Sequence, residues 1–346
     1  MPKDFLFEIC SEQFVAGFEH VNGSKLKKYF EPYTDSLEED KLGSHIFKSN
    51  GTNDTKIMLA AHIDEIGLMV TGILDGGFLS FTSVGGINAA SLVAQDVTVY
   101  GKENLFGVIG IKPPHLTEKE EREKPLKLKD LFIDTGFSKE VLEKKVSVGD
   151  IAVIKRTPVS LQGSIISSRQ LDDKAGIAVM LVVARELKKI SHKSNIYYAA
   201  TAQEETGYRG STTASYKINP DIGIVLDVGF GLTPEMPPET ALLGKGPAVA
   251  IGGRFNPKLT KKFIDVCKQY NYNFQYEASP GASGTDTEAL QINREGIPCI
   301  LLSIPLRYMH TSVETIDVKD IETTGKAIAR FINEIDNTDL EEILCF

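Results

Sequence analysis

After Gly163 the chain alternates apolar strand-like runs with amphipathic helical stretches, a rhythm that few folds accommodate. "DDKAGIAVMLVVARELKKI" carries apolar residues at helical spacing, with Asp172 and Asp173 at its start, where acids suit the helix dipole. Strand "NIYYAATAQ" follows, then strand "IGIVLDV", helix "LTKKFIDVCKQY", strand "NFQYEA", helix "TDTEALQINREG", strand "IPCILLSI" and helix "VKDIETTGKAIARFINEI". Such alternation requires a sheet covered on both faces. The N-terminal part reads as helix "FLFEICSEQFVAGF", short helix "GSKLKKYF" and a hairpin leading into "KIMLAAHIDEIGLMV", taken as one buried strand. From about Val70 to Gly163 the texture changes to short alternating strands with glycine turns, as in "LFGVIGIKP" and "GDIAVIKR", the pattern of a small barrel. The expected architecture is therefore α/β, a mixed central sheet flanked by helices over residues 1–69 and 164–346, with an inserted all-β barrel over 70–163. The charge run "HLTEKEEREKPLKLKD" inside the insert reads as a solvated loop.

Composition removes several classes of function. A net charge of −9 offers no basic surplus for nucleic-acid phosphates. Cys10, Cys267, Cys299 and Cys345 lie far apart without CxxC spacing, which indicates neither a thiolate zinc site nor a disulfide framework and fits a reducing cytoplasm. The run "MPKDFLFEICSEQF" has acids within its apolar residues, and nothing in the chain approaches the ~20 apolar residues of a membrane span. A protein without membrane or nucleic-acid partners is expected.

Three strands end in carboxylates or imidazoles: "IMLAAHIDE", "YYAATAQEE" and "GIVLDVG". Ligands of open α/β sheets bind outside the carboxyl ends of the strands, so His62, Asp64, Glu204, Glu205 and Asp227 can converge on one crevice. Asp172 opens a helix, and His310 follows a strand through "SIPLRYMHTS". Gathered together, Asp64, Asp172, Glu204, Glu205 and Asp227 could not all ionise without compensation. Two divalent cations supply the missing charge. Carboxylates and imidazoles without thiolates suit zinc, cobalt or manganese, and one carboxylate can bridge ions ~3.5–4 Å apart. Adjacent residues on an extended chain point to opposite sides, so one of Glu204 and Glu205 can hold a metal while its neighbour moves protons. Taken singly, each residue has an ordinary reading: Asp227 as a turn former, His62 as a bonded core histidine, His310 as a loop residue, Asp172 and Asp173 as helix caps. Their joint occurrence at strand ends favours the site.

The segments "AAHIDEIGLMV", "RQLDDKAG", "AQEETGYRGS", "VLDVGF", "GTDTEAL" and "SIPLRYMHTSVETI" resemble, in order, the signature segments of the M42 metallo-aminopeptidases, a TET-like family of glutamyl and deblocking aminopeptidases formerly also labelled endoglucanases. The resemblance spans nearly the whole chain. It implies that His62 and Asp227 bind one metal, Glu205 and His310 the other, and that Asp172 bridges both. It makes Glu204 the general base acting on a metal-bridging water, and Asp64 the residue that orients His62. The wider clan further implies a cis peptide bond between Asp172 and Asp173. Two zinc or cobalt ions per subunit, with manganese as a further option, would remove N-terminal residues from short peptides with a free N-terminus. The resemblance also implies that the PDZ-like insert forms dimers, six of which build a dodecamer.

Other positions are less constrained. Thr285 and Asp286 read as helix caps that the resemblance places beside the substrate pocket, and His115 as a loop anchor or a residue reaching an active site across a subunit interface. His20, His45 and His192 read as structural. Competing functions are a glycoside hydrolase using Glu204 and Glu205, a di-metal amidohydrolase or deacetylase, and a non-catalytic metal-binding scaffold. Facing carboxyls are what a glycosidase needs, whereas adjacent strand residues face apart, and the chain has no tryptophan for a sugar platform.

Overall fold

The computed structural model describes residues 2–116 and 124–344. Residues 117–123 of the charge run in the insert, and Cys345, fall outside them. In chain order the first strands are β1 Ser36–Glu39, β2 His45–Ser49 and β3 Lys56–His62. Next come β4 Gly67–Ile73, β5 Phe78–Val84, β6 Asp96–Tyr100, β7 Asn104–Ile111, β8 Leu131–Asp134 and β9 Ile151–Ile154, which close into a barrel in the order β4-β5-β8-β7-β6-β9. Strands β10 Val159–Ser160 and β11 Ile165–Ser168 lead back. The remainder are β12 Asn195–Thr201, β13 Ile222–Phe230, β14 Ala248–Ile251, β15 Gln275–Ala278, β16 Cys299–Leu306 and β17 Glu314–Asp317.

The main sheet has eight strands ordered β1-β2-β12-β3-β13-β16-β14-β15. Its centre, β12, β3, β13 and β16, is parallel, and β2 and β14 flank it antiparallel. The central strands are buried along nearly their full length, as parallel strands under helices on both faces must be. Helices Pro2–Ile9, Leu171–Leu187, Pro257–Gln269 and Val318–Ile335 share one core cluster with one face. The helix Arg209–Ile218 and the turn Thr287–Leu290 cover the other. The barrel keeps its own apolar centre, with Leu79, Val97, Ile109 and Ile133 inside.

The helix Arg209–Ile218 and strands β11, β14 and β17 are additions to the sequence reading, and four other stretches take a different form from it. "KIMLAAHIDEIGLMV" is two strands in two sheets, broken between His62 and Gly67. Its acids make the break: the Glu65 side chain accepts from Phe14 N–H (2.8 Å) and pairs with Arg169, so the chain leaves the ladder to reach buried donors. "TDTEALQINREG" is helical only over Thr287–Leu290, because the chain turns where Asn293 donates to Thr212 O and Ser215 Oγ (both 2.8 Å). The first helix stops at Ile9, and the segment after it is tied down by Gln170, which donates to Cys10 O and Glu12 O. The insert is not purely β, since Lys139–Lys145 is a helix.

Candidate active site

Strands β12, β3 and β13 deliver their carboxyl ends side by side. Thr201 and His62 are register partners, and Asp227 lies two residues past Val225, the partner of Ala60. Just beyond β3, buried Asp64 organises the neighbouring turn: one carboxylate oxygen accepts from Glu204 N–H and the other from Glu205 N–H, both at 3.0 Å. Preceding that turn, Gln203 adopts φ +59°. A single side chain thus fixes the start of both glutamates.

His62 is oriented through Nδ1, which donates to Asp64 O (3.2 Å), leaving Nε2 3.0 Å from Asp172 Oδ1. His310 is oriented in the same way. Its Nδ1 donates to Gly86 O (2.8 Å), just past barrel strand β5, and its Nε2 lies 3.3 Å from both Asp172 Oδ2 and Glu205 Oε1. Each histidine spends one nitrogen on a carbonyl and offers the other to the acids, the arrangement in which imidazole binds a metal. Asp172 stands between the two, one oxygen toward each ring. The Asp172–Asp173 peptide bond is cis, as the resemblance implies, and both residues are non-helical although they open the helix Leu171–Leu187. Buried Glu314 on β17 holds this corner by accepting from Asp172 N–H (3.2 Å) and His310 N–H (3.0 Å).

Two groups of potential metal-binding atoms result, His62 with Asp172 and Glu205, and His62 with Asp173 and Asp227, the atoms of each group lying within 4.8 Å of one another. Asp173 is an addition to the sequence reading. Its Oδ1 accepts from Gly176 N–H (2.9 Å), while Oδ2 is buried without a partner.

The electrostatics show what the cluster lacks. Burial pushes the Glu204 carboxyl up to about 10, with the charges of Asp227, Asp286 and Glu205 adding to it. It raises Asp227 and Asp173 well above the ordinary range and Glu205 as well. Hydrogen bonds to Asp172 and Glu205 push His310 up to about 11, and His62 is raised by Asp172 and Asp64 against the opposing effect of its burial. Asp172 is held well below the usual carboxylate range by the two histidines, also against burial. Burial and crowding thus favour the protonated forms of Glu204, Glu205, Asp173 and Asp227, and the neighbouring acids favour the charged imidazoles. The hard and borderline donors present, oriented imidazoles and unpaired carboxylate oxygens, fit divalent cations.

A cleft of about 440 Å³ opens over these groups, walled by Tyr208, Phe230, Glu277, Ser283, Thr285 and Met309. Of the positions expected near substrate, Thr285 lines it. Asp286 does not: its carboxylate turns inward and accepts from Thr201 Oγ1, and burial pushes its carboxyl up to about 6. His115 sits exposed on the 3-10 turn Pro114–Leu116 after barrel strand β7, away from the cleft lining. His62, Asp172, Glu204, Glu205, Asp227 and His310 all line it, and Asp64 lies buried beneath. Sequence reasoning passed over Asp173 as a potential ligand, and it passed over Glu314 and Glu277. A buried acid in an apolar strand, as in "HTSVETI", was the available signal for Glu314.

Comparison with known proteins gives concordant results. A family model described as M42 glutamyl aminopeptidase matches residues 43–326. Lysyl aminopeptidase of Pyrococcus furiosus is 35% identical over 97% of this chain and 98% of its own. The crystal structure of a TET aminopeptidase from the marine sediment archaeon Thaumarchaeota archaeon SCGC AB-539-E09 superposes with a TM-score of 0.92 at 32% identity, covering 99% of this chain and 98% of that one. The TET1 peptidase of Pyrococcus horikoshii, described as assembling into a tetrahedron or a large octahedral shell, gives a TM-score of 0.84 at 29% identity, covering 95% and 98%. With a family model across most of its length and relatives in sequence and fold over nearly all of it, this chain belongs to the M42 family of aminopeptidases, hydrolases of peptide bonds.

Proposed function

We propose that the crevice is a two-metal aminopeptidase centre in which His62 and Asp227 hold one divalent ion, Glu205 and His310 the other, and Asp172 both. The observation that carries this reading is the position of Asp172, one oxygen directed at each oriented histidine. When bound, two such ions would lower the pKa of water toward neutrality and polarise the scissile carbonyl. The chain's own residues do the rest. Glu204, whose backbone Asp64 clamps, takes the proton from the attacking water and returns it to the leaving amine. Asp64 keeps the His62 ring turned toward the acids, and Gly86 does the same for His310. The acids around the crevice favour the free α-amino group of a short peptide.

Zinc or cobalt suits these donors, and manganese is a third option. Residues 70–163 serve as the dimerisation insert of a shell of six dimers, a reading supported by the assembly described for the Pyrococcus horikoshii peptidase. The buried free thiols of Cys10, Cys267 and Cys299 are in keeping with a cytoplasmic setting. No site feature singles out the glycosidase, deacetylase or scaffold readings.

Metal analysis and chelation test the centre. Two divalent ions per chain are expected, with aminoacyl-arylamide hydrolysis lost on chelation and restored by zinc, cobalt or manganese. Full activity after exhaustive chelation would falsify the metal mechanism. Light scattering should return about twelve times the chain mass, and a monomer would refute the shell.

A further inference from the structure

Glu277 is the acid of the cleft that lies apart from the crowd around the histidines. It sits on β15, three places from β13 in the sheet, yet lines the same cleft as Asp227 and His62. Its Oε2 accepts from Ser303 Oγ at 2.7 Å, and Ser303 is the register partner of Asp227. The carboxylate therefore reaches back over β14 to β16, the strand ~5 Å from the one that bears Asp227. Gly229 keeps that passage open: a Cβ there would meet Ser303 Cβ at 2.8 Å and stand 3.6 Å from Glu277 Oε1. No lysine or arginine lines the cleft among the described residues, and burial raises the Glu277 carboxyl above its ordinary range. The lining of the same cleft includes the apolar side chains of Leu301, Phe230 and Met309.

From this placement we infer that Glu277 is a specificity-determining residue, and that the cleft selects lysine or arginine as the N-terminal residue of the substrate. The inference rests on the aminopeptidase reading above. A lysine has a four-carbon stem to lay along the apolar lining and a point charge at its end, and an arginine brings a planar fork that matches a carboxylate. An acidic side chain would place like charge against Glu277, and an apolar one would cover the carboxylate without pairing it, so both are discriminated against. The names of the relatives do not decide this, since "glutamyl" and "lysyl" describe side chains of opposite charge.

Arylamides of lysine, arginine, leucine and glutamate, assayed with the metal-replete protein, test it. Wild type should show kcat/KM for lysine and arginine at least tenfold above leucine, with glutamate lowest. Glu277→Gln should lower the lysine-to-leucine ratio at least tenfold, and Glu277→Lys should raise glutamate above lysine. Free lysine should inhibit wild type more strongly than norleucine, a binding preference that Glu277→Gln removes. A wild type that treats lysine and leucine alike, or a ratio unmoved by Glu277→Gln, overturns the role of Glu277 and leaves the aminopeptidase intact. Failure to hydrolyse any arylamide overturns the aminopeptidase reading and this inference with it.

Discussion

Asp64 does at one position what would otherwise take several residues, accepting consecutive amides with its two oxygens and orienting His62 through its carbonyl. Asp64→Asn leaves one acceptor oxygen and turns an NH₂ group against the other amide, so kcat should fall 10- to 100-fold with the fold retained by circular dichroism. Glu204→Gln removes the proton acceptor and should reduce kcat 10²- to 10⁴-fold with bound metal unchanged by elemental analysis. Glu19 shows how the same turn is supported from behind: one oxygen accepts from Gly17 N–H and Gln203 N–H, each at 2.9 Å. Burial, with the charge of Asp64 behind it, pushes the Glu19 carboxyl up from 4.5 to about 7. The folded state then holds this proton more firmly than the unfolded chain, so its contribution is most favourable below pH 4.5 and is lost as the pH rises through 7. Glu19→Gln keeps the accepting oxygen and abolishes the titration. Relative to wild type, the variant should gain up to about 3 kcal/mol on going from pH 4.5 to pH 8. Thermal melts showing the same difference at both pH values would contradict this account.

At the scale of elements, the geometry of the glutamate turn depends on how closely a helix approaches a strand end. The helix Arg209–Ile218 begins against the end of β12, where Gly210 N–H donates to Ala202 O at 2.8 Å. A Cβ on Gly210 would lie 2.3 Å from Ala202 N and 2.6 Å from Ser44 Oγ, so strand end or helix must shift. Gly210→Ala should cost about 1–3 kcal/mol by thermal unfolding and displace the turn that carries Glu204 and Glu205. A kcat reduced at least tenfold with little change in KM is the expected signature. Lost stability with an unchanged kcat would mean that the turn does not feel the helix. The barrel is coupled to the site in a comparable way, since the chain leaving β5 supplies Gly86 O to His310.

For the molecule as a whole, the crowded acids make stability depend on what neutralises them. Ligands must lose protons to bind a cation, so metal should stabilise the fold more as the pH rises. With free metal at a hundred times its dissociation constant, about 2.7 kcal/mol is expected per site. Melting temperatures of apo and metal-loaded protein should diverge between pH 5.5 and pH 8. A gap that does not change with pH would mean that these acids and histidines are not the ligands.

Much of the order of strands and helices, though not the helix Arg209–Ile218 or strands β14 and β17, and the acids at strand ends were legible in the sequence, because each depends on local periodicity and on which residue follows an apolar run. The separate barrel was legible for the same reason, as its texture changes within one stretch of chain. Other features arise from contacts between distant segments. Asp64 clamping residues 140 and 141 positions away, Glu314 pinning Asp172 from β17, and Asp173 joining Asp227 are consequences of sheet order. Likewise, nothing near Glu277 in "NFQYEASPG" marks it as part of the cleft, and only the packing of β15 beside β14 carries its side chain to Ser303. Local pattern sets which face and end of an element a residue occupies, but its chemical neighbours are set by strand order and register, which no short window of sequence contains.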